Sequence, residues 1–506
     1  MKTLKIGRNS YIVVCLVAAF FYLWMAAQVP YTHDDWDWGL PVGIQQLVSA
    51  NINSRYAGNL FVVVMTRSEA IKTLVMGLGY WLLPFLISEF AIREVSDSAK
   101  KNRTVCFLLC NVFLLTMNRE IWQQTYGWVA GYANFVVSAI FMVSIIHKIL
   151  STFEGVETEQ GSVKKAFLWG AIGFVSQLFL ENIALFLFVL SVCAEIYFVY
   201  KNRCVSFPLL GLAVGTTMGL AVMFGSGIYQ ELWNSGSAVG GYRQVFLNSK
   251  MNFYTAVVRC FDQLSAILCR VWEINPIISS MILLLLSVSL LSTTEKSKYL
   301  LLALNTLVLA YFVFVCLFEL RVRFAIKILS NLTYFLLVAA ETIILFGKDK
   351  IFTGKLLVLW VCVPAVIAPL IITTEIGARL FLTPGILLVF FAAMLCVKVL
   401  ENMPRAVFKA VQVCLLTAVV CLFAYYGRIY YDIGLCKSNR EGIISQAVAT
   451  GADFICLPQY PHIEYLWCPE PKSEQRLMFF KQFYGIGDSV TVEFVDENTA
   501  ENITLQ

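Results

Sequence analysis

The sequence predicts an all-α polytopic membrane protein with about 11–13 transmembrane helices, and three observations carry that prediction. Of its 506 residues, 59% are hydrophobic and 14% charged, where a soluble domain carries about 25% charged residues. Mean hydropathy is +0.73. Apolar runs long enough to cross a ~30 Å hydrocarbon core recur along most of the chain. The net charge of +5 is spread over short loops and forms no basic patch, which argues against a nucleic-acid binder.

Taken in order, the runs fall at about 10–29, 70–90, 104–117, 130–149, 166–180, 183–200, 205–225, 274–292, 299–318, 328–346, 355–373, 381–400 and 406–426. Those at 104–117 and 166–180 are short for a full crossing, so the number of spans is set only to within one or two. The basic start, Met1 to Arg8, leads into the first run without a small-residue cleavage site, as in a retained first span. Lysine and arginine then orient the chain. With the N-terminus inside, inner segments hold twenty cations in short loops, and the longer outer segments hold twelve. The positive-inside rule therefore predicts a cytoplasmic N-terminus and an outer C-terminus.

Nine of the twelve outer cations are arginine, the residue suited to bidentate recognition of carboxylate or phosphate. Arg321 and Arg323 occupy a very short turn with few acids nearby, and Arg379 has Glu375 one turn earlier as an ion-pair candidate. Most of the fifteen cysteines sit singly in apolar runs, where they act as small hydrophobes. Cys436, Cys456 and Cys468 lie in a polar region, where Cys456 and Cys468 are a weakly supported candidate bridge; no spacing suggests zinc.

The outer segments are the richer ones. A large first outer loop, 30–69, opens on Tyr31-Thr32-His33-Asp34-Asp35-Trp36-Asp37-Trp38, and its later apolar pattern suits one or two interfacial helices. Charge at a membrane boundary costs roughly 2.5–3.5 kcal/mol per group at the centre of a span, so it marks functional candidates. An interfacial belt of wet aspartates and anchoring tryptophans is the alternative. Further candidates are Asn53, Arg55 and Tyr56, then Tyr126 and Asn134 in a stretch of alternating glycines and aromatics, and Glu181-Asn182 between two apolar runs. The long outer segment from Gly225 to about Glu273, rich in glycine and serine, reads as a mobile loop. Residues 427–506 are polar, with a strand-like run at Ser489–Val495, and form a small mixed α/β outer tail beside the membrane domain of residues 1–426.

At these residues the chain resembles the GT-C superfamily of integral-membrane glycosyltransferases, in layout closest to bacterial Gtr-type enzymes that modify surface polysaccharides. His33-Asp34-Asp35-Trp36 after the first span resembles their acidic motif, Asn53-Ser54-Arg55-Tyr56 their asparagine-x-arginine-aromatic segment, and Tyr126 to Phe135 their glycine–asparagine–aromatic segment. PKSEQRLMFFKQFYGI is similar to their outer tail, whereas the segment around Gly236–Gly241 matches no donor motif. The resemblance implies transfer of a sugar from a polyprenyl phosphate carrier to a glycan or glycolipid acceptor on the outer face of the cytoplasmic membrane of a bacterium. It implies a catalytic base at Asp34 or Asp35. The remaining candidates, His33, Asn53, Arg55, Tyr56, Tyr126, Asn134, Glu181, Asn182, Arg321, Arg323 and Arg379, fall to substrate binding.

The residues suit that chemistry independently. A carboxylate takes the proton of an attacking hydroxyl, repulsion within an Asp pair raises one pKa towards neutrality, and arginines stabilise a leaving phosphate. No cofactor is required, although Asp34, Asp35 and Asp37 offer oxygen ligands to Mg²⁺ or Mn²⁺. Two other readings stay open: a flippase for lipid-linked saccharides, with Glu89, Glu195 and Glu341 in or beside spans, and a surface-glycan polymerase or ligase.

Overall fold

A computed structural model describes residues 2–95, 102–154, 162–239, 243–245, 251–373, 376–401 and 403–495. The first apolar run forms α1 (Lys2–Gln28). Three short helices follow, α2 (Asp35–Gly39), α3 (Pro41–Ser49) and α4 (Tyr56–Met65), where the sequence suggests one or two. Pro41 starts α3 at a position whose N–H would lack a helical partner anyway. Then come α5 (Glu69–Val95), α6 (Arg103–Leu115) and α7 (Arg119–Thr125), the last two bent by 90° to one another. The turn α8 (Val129–Gly131) runs through a π-helical stretch, Tyr132–Val136, into α9 (Val137–Ser151).

The middle of the chain continues with α10 (Val163–Ser176), α11 (Glu181–Asn202), α12 (Phe207–Phe224) and α13 (Gly227–Ser235). A small antiparallel ladder pairs β1 (Ser237–Ala238) with β2 (Arg243–Gln244). The helices α14 (Phe253–Glu273), α15 (Pro276–Leu291), α16 (Lys298–Tyr311), α17 (Phe324–Phe346), α18 (Lys350–Ala365) and α19 (Leu382–Glu401) follow. The last long helix, α20 (Arg405–Thr450), has 46 residues, or roughly 69 Å at 1.5 Å per residue. It runs without a break across position 426 into the tail, where β3 (Phe454–Pro458) pairs in parallel with β4 (Thr491–Val495) around α21 (Glu474–Tyr484).

The chain is thus an all-α polytopic membrane protein. Ten helices among the described residues are long and apolar enough to cross a bilayer, or twelve if each of two sharply bent pairs is one span. The run at 166–180 is the exception, because it builds only the fourteen residues of α10, about 21 Å of helix. Close packing holds this short helix in place: a Cβ on Gly215 of α12 would lie 2.0 Å from the Gly170 carbonyl of α10. Two backbones approach like that only where side chains are absent. The centre of the bundle is α19, nearly all of which is buried.

The segment read as a mobile loop, Gly225 to about Glu273, contains α13, β1, β2 and the 21-residue helix α14, while Gly240 and Gly241 lie outside the described residues. Cys456 and Cys468 are both free thiols, so the candidate bridge is not formed.

One end of the bundle gathers the segments before α2, between α4 and α5, around α7 and α8, before α11, between α18 and α19, and the tail. The opposite end holds the last turns of α5, α9 and α19 and the start of α18.

Candidate functional site

At the first end, the chain leaves α1 and turns at His33, whose φ of 53° is left-handed. That turn sets three aspartates at the start of α2 in three different environments. Asp34 keeps 23% of its side chain exposed; the Trp128 indole Nε1 donates to its Oδ1 at 2.9 Å and His33 Nδ1 lies 3.6 Å away. Asp35, one residue on, is fully buried. Its Oδ2 accepts the Thr32 backbone N–H at 2.9 Å and its Oδ1 that of Ala130 at 2.8 Å. Asp37 is buried against the tail, where Arg476 Nη1 donates to its Oδ1 at 2.6 Å.

The electrostatics separate the three. Burial and the neighbouring Asp34 charge push the Asp35 carboxyl well above the usual carboxylate range. Burial, with the charge of Asp34, likewise brings Asp37 up to about 6 in spite of Arg476. For Asp34, burial also acts upward, yet His33, Arg476 and the Trp128 N–H outweigh it and hold the carboxyl below its ordinary value. Repulsion within the pair therefore falls on the buried member. The accessible one stays ionised.

Around Asp34 stands an aromatic cradle built from three distant segments. His33 and Trp128 meet edge-on at 5.8 Å, and Trp467 from the tail lies 6.1 Å from Trp128 and 6.2 Å from His33, between ring centroids. The tail reaches so close because residue 127 is glycine: a Cβ there would come within 1.8 Å of the Tyr465 carbonyl. Arg379, entering from the turn before α19, places its guanidinium 5.7 Å from the Trp128 ring centre and 5.9 Å from that of Phe135. Its backbone N–H is held by Gln124 Oε1 at 3.4 Å. Glu375, the ion-pair candidate for Arg379, lies outside the described residues.

The other predicted residues divide. Arg55 grips Glu181 with Nε at 3.1 and 3.2 Å and Nη2 at 2.8 Å, and Tyr229 donates to the same carboxylate at 2.8 Å. Asn53 Oδ1 accepts from the Arg55 N–H and from Asn59, so it shapes the loop. Asn134 Nδ2 donates to the Ala130 carbonyl, and its side chain packs on Gly58, which joins this polar cluster to the acidic one. Tyr56 is half-buried at the start of α4. Asn182 is buried and donates to the Val366 carbonyl at 3.1 Å.

Two expectations fail on position. Tyr126 is buried, stacked on Trp122 at 4.5 Å, with its carbonyl taken by the Tyr80 hydroxyl; it is core and lines no open site. Arg321 and Arg323 are exposed in the turn before α17 and make no ion pair among the described residues. Nothing joins them to the Asp34 cluster.

Three participants were missed or left without a role: Trp128, Trp467 and Arg476. A signal existed for the second, since a tryptophan in an otherwise polar tail asks for a partner. Among the described residues, no group of three or more His, Cys, Asp or Glu side chains is placed to hold a metal ion. The carboxylates of Asp34, Asp35 and Asp37 face different partners instead.

The fold and this site define a class: a multi-pass membrane protein with one accessible, ionised carboxylate in an aromatic, arginine-flanked cradle at one end of its helices. The chain matches no known family model, no curated protein and no solved structure.

Proposed function

We propose that the protein is a membrane glycosyltransferase that moves a sugar from a polyprenyl phosphate donor to a hydroxyl of a glycan or glycolipid, in the cytoplasmic membrane, with the Asp34 end outward. The observation that carries this reading is Asp34 itself, held ionised and reachable between His33, Trp128 and Trp467. In the reaction the acceptor oxygen forms a bond to the anomeric carbon as the bond from that carbon to the carrier phosphate breaks. The acceptor proton passes to Asp34, and the polyprenyl phosphate leaves with the electron pair. Indole faces suit the apolar face of a sugar ring, and Arg379 beside them supplies positive charge for the departing phosphate.

Asp35 takes a positioning role in this scheme. Its two backbone hydrogen bonds tie the acidic turn to Ala130, and through it to the Trp128 that orients Asp34. The flippase reading has less support. Of its candidate charges, Glu89 is held by Tyr11 and Arg103, while Glu195 and Glu341 each have one carboxylate oxygen bonded, to the Ser206 N–H and to Asn305, and the other buried without a partner among the described residues.

The test is transfer of radiolabelled sugar from a panel of polyprenyl phosphate sugars in membranes, comparing the protein with Asp34→Asn. Transfer by the parent and its loss in a variant that still binds donor support the reading. Full activity in the variant overturns the assignment of the base.

A further inference from the structure

Among the helices at the site end, α14 has the wrong surface for a soluble loop. Phe253, Tyr254, Val257, Val258 and Phe261 are 83%, 75%, 50%, 42% and 67% exposed. At 100° per residue, Phe253, Val257 and Phe261 share one side of the helix with the partly exposed Leu264 and Leu268. Arg259, Asp262, Gln263 and Arg270 fall on the other. So clean a division suits a helix lying at a boundary between apolar and polar media.

Its direction agrees. The axis of α14 bends by 72° from α15, which packs within the bundle against α16, α17 and α19. A helix turned so far from the one that follows it fits a course along the membrane plane better than a crossing. The polar side, meanwhile, faces the site. Gln263 Nε2 donates to the Thr373 carbonyl at 2.8 Å and Arg270 Nη1 to that of Ile376 at 3.2 Å, while Arg270 Nη2 reaches Glu120 at 3.4 Å. Both carbonyls lie in the chain just ahead of Arg379. The far end of α14 is pinned to the bundle by Glu273, which accepts from Asn331 at 2.8 Å and pairs with Lys327 at 3.3 Å.

We infer that α14 is a membrane-surface helix: its Phe253–Phe261 side lies among the acyl chains just below the lipid headgroups, and its Gln263–Arg270 side holds the Arg379 segment at headgroup depth. The partner of this exposed face is the bilayer that already surrounds the spans, including the exposed apolar side chains Ile277, Leu284, Val288 and Leu291 of α15. The inference stands apart from the sugar-transfer reading, although a guanidinium fixed at that depth meets a lipid-borne phosphate.

The test uses the full-length protein in nanodiscs of phosphatidylethanolamine and phosphatidylglycerol, with the photoreactive residue p-benzoylphenylalanine in place of Phe261 or, separately, Asp262. Phe20 of α1, 71% exposed on the first span, serves as the positive control. Irradiation at position 261, as at 20, adds the mass of one phospholipid, and position 262 gives little or none. Three results overturn the inference: no lipid adduct at 261 when 20 reacts, equal adducts at 261 and 262, or a 261 adduct joining two protein chains. None of them requires sugar transfer, so this test and that of the proposed activity fail separately.

Discussion

The acidic turn at one end of the helix bundle and Glu94 at the other handle charge in opposite ways. At the end away from Asp34, Glu94 is 1% exposed and meets two basic side chains at once, Lys355 Nζ at 2.6 Å and His147 Nδ1 at 2.5 Å. His147 also stacks on Phe90 at 3.9 Å, and nearby Lys398 pairs with Asp349. Glu94 is thus answered by basic side chains from two other helices, and three helices are pinned. In the acidic turn, Asp34 and Asp35 are answered by an indole N–H and by backbone amides, and only Asp37 takes a direct bond from Arg476. Ion pairing uses up a carboxylate. Neutral donors orient one and leave its basicity free for chemistry.

The comparison breaks most visibly at Asp34. Asp34→Asn keeps the shape and an acceptor for Trp128, so folding persists while transfer falls by about 10²–10⁴-fold, measured with labelled donor in vesicles. The counterpart at the other end is Glu94→Gln, which leaves Lys355 buried without its countercharge. Breaking such a pair costs about 3–5 kcal/mol, so thermal unfolding in detergent drops sharply while transfer per folded molecule stays at the parent level. Asp35→Asn lies between the two. Its amide N–H₂ would face a backbone N–H on one side, and an unsatisfied buried group costs about 1–3 kcal/mol. Stability and activity fall together in this variant, as thermal unfolding and labelled transfer on the same sample would show.

The smallest effect sharpens the comparison. Arg476 lowers the carboxyl pKa of both Asp34 and Asp37. With Arg476→Gln those values rise, each acid takes up its proton at a higher pH, and the acid limb of the rate profile moves upward. A pH profile of transfer that is unmoved would mean that the tail does not tune the base.

Much of this was legible in the sequence. Hydrophobic run length carried the fold class, since a bilayer-crossing helix is a local property of about twenty residues. The acidic turn after α1 was legible for the same reason: its charges stand out against their neighbours. What could not be read is which aspartate is which. Asp34 and Asp35 differ through Trp128 and the Ala130 N–H, some 94 and 95 positions away, and no local pattern separates them. Tyr126 was misjudged because an aromatic beside glycine looks the same whether it faces a ligand or, as here, Trp122 and Tyr80. The amphipathic α14 was hidden behind the glycine- and serine-rich stretch before it, although its apolar side chains recur at helical spacing.

The contact between Asp37 and Arg476 closes over 439 positions, and that separation is also an interval of time. At ~5–20 residues per second, translation takes ~20–90 s to travel from one to the other. Throughout it Asp34 exists without Trp467 above it or Arg476 beside it. A chain that stops short of the tail carries the acid and nearly all the helices, yet lacks the cradle. Synthesis of the tail is the event that supplies Trp467 and Arg476 to the acidic turn.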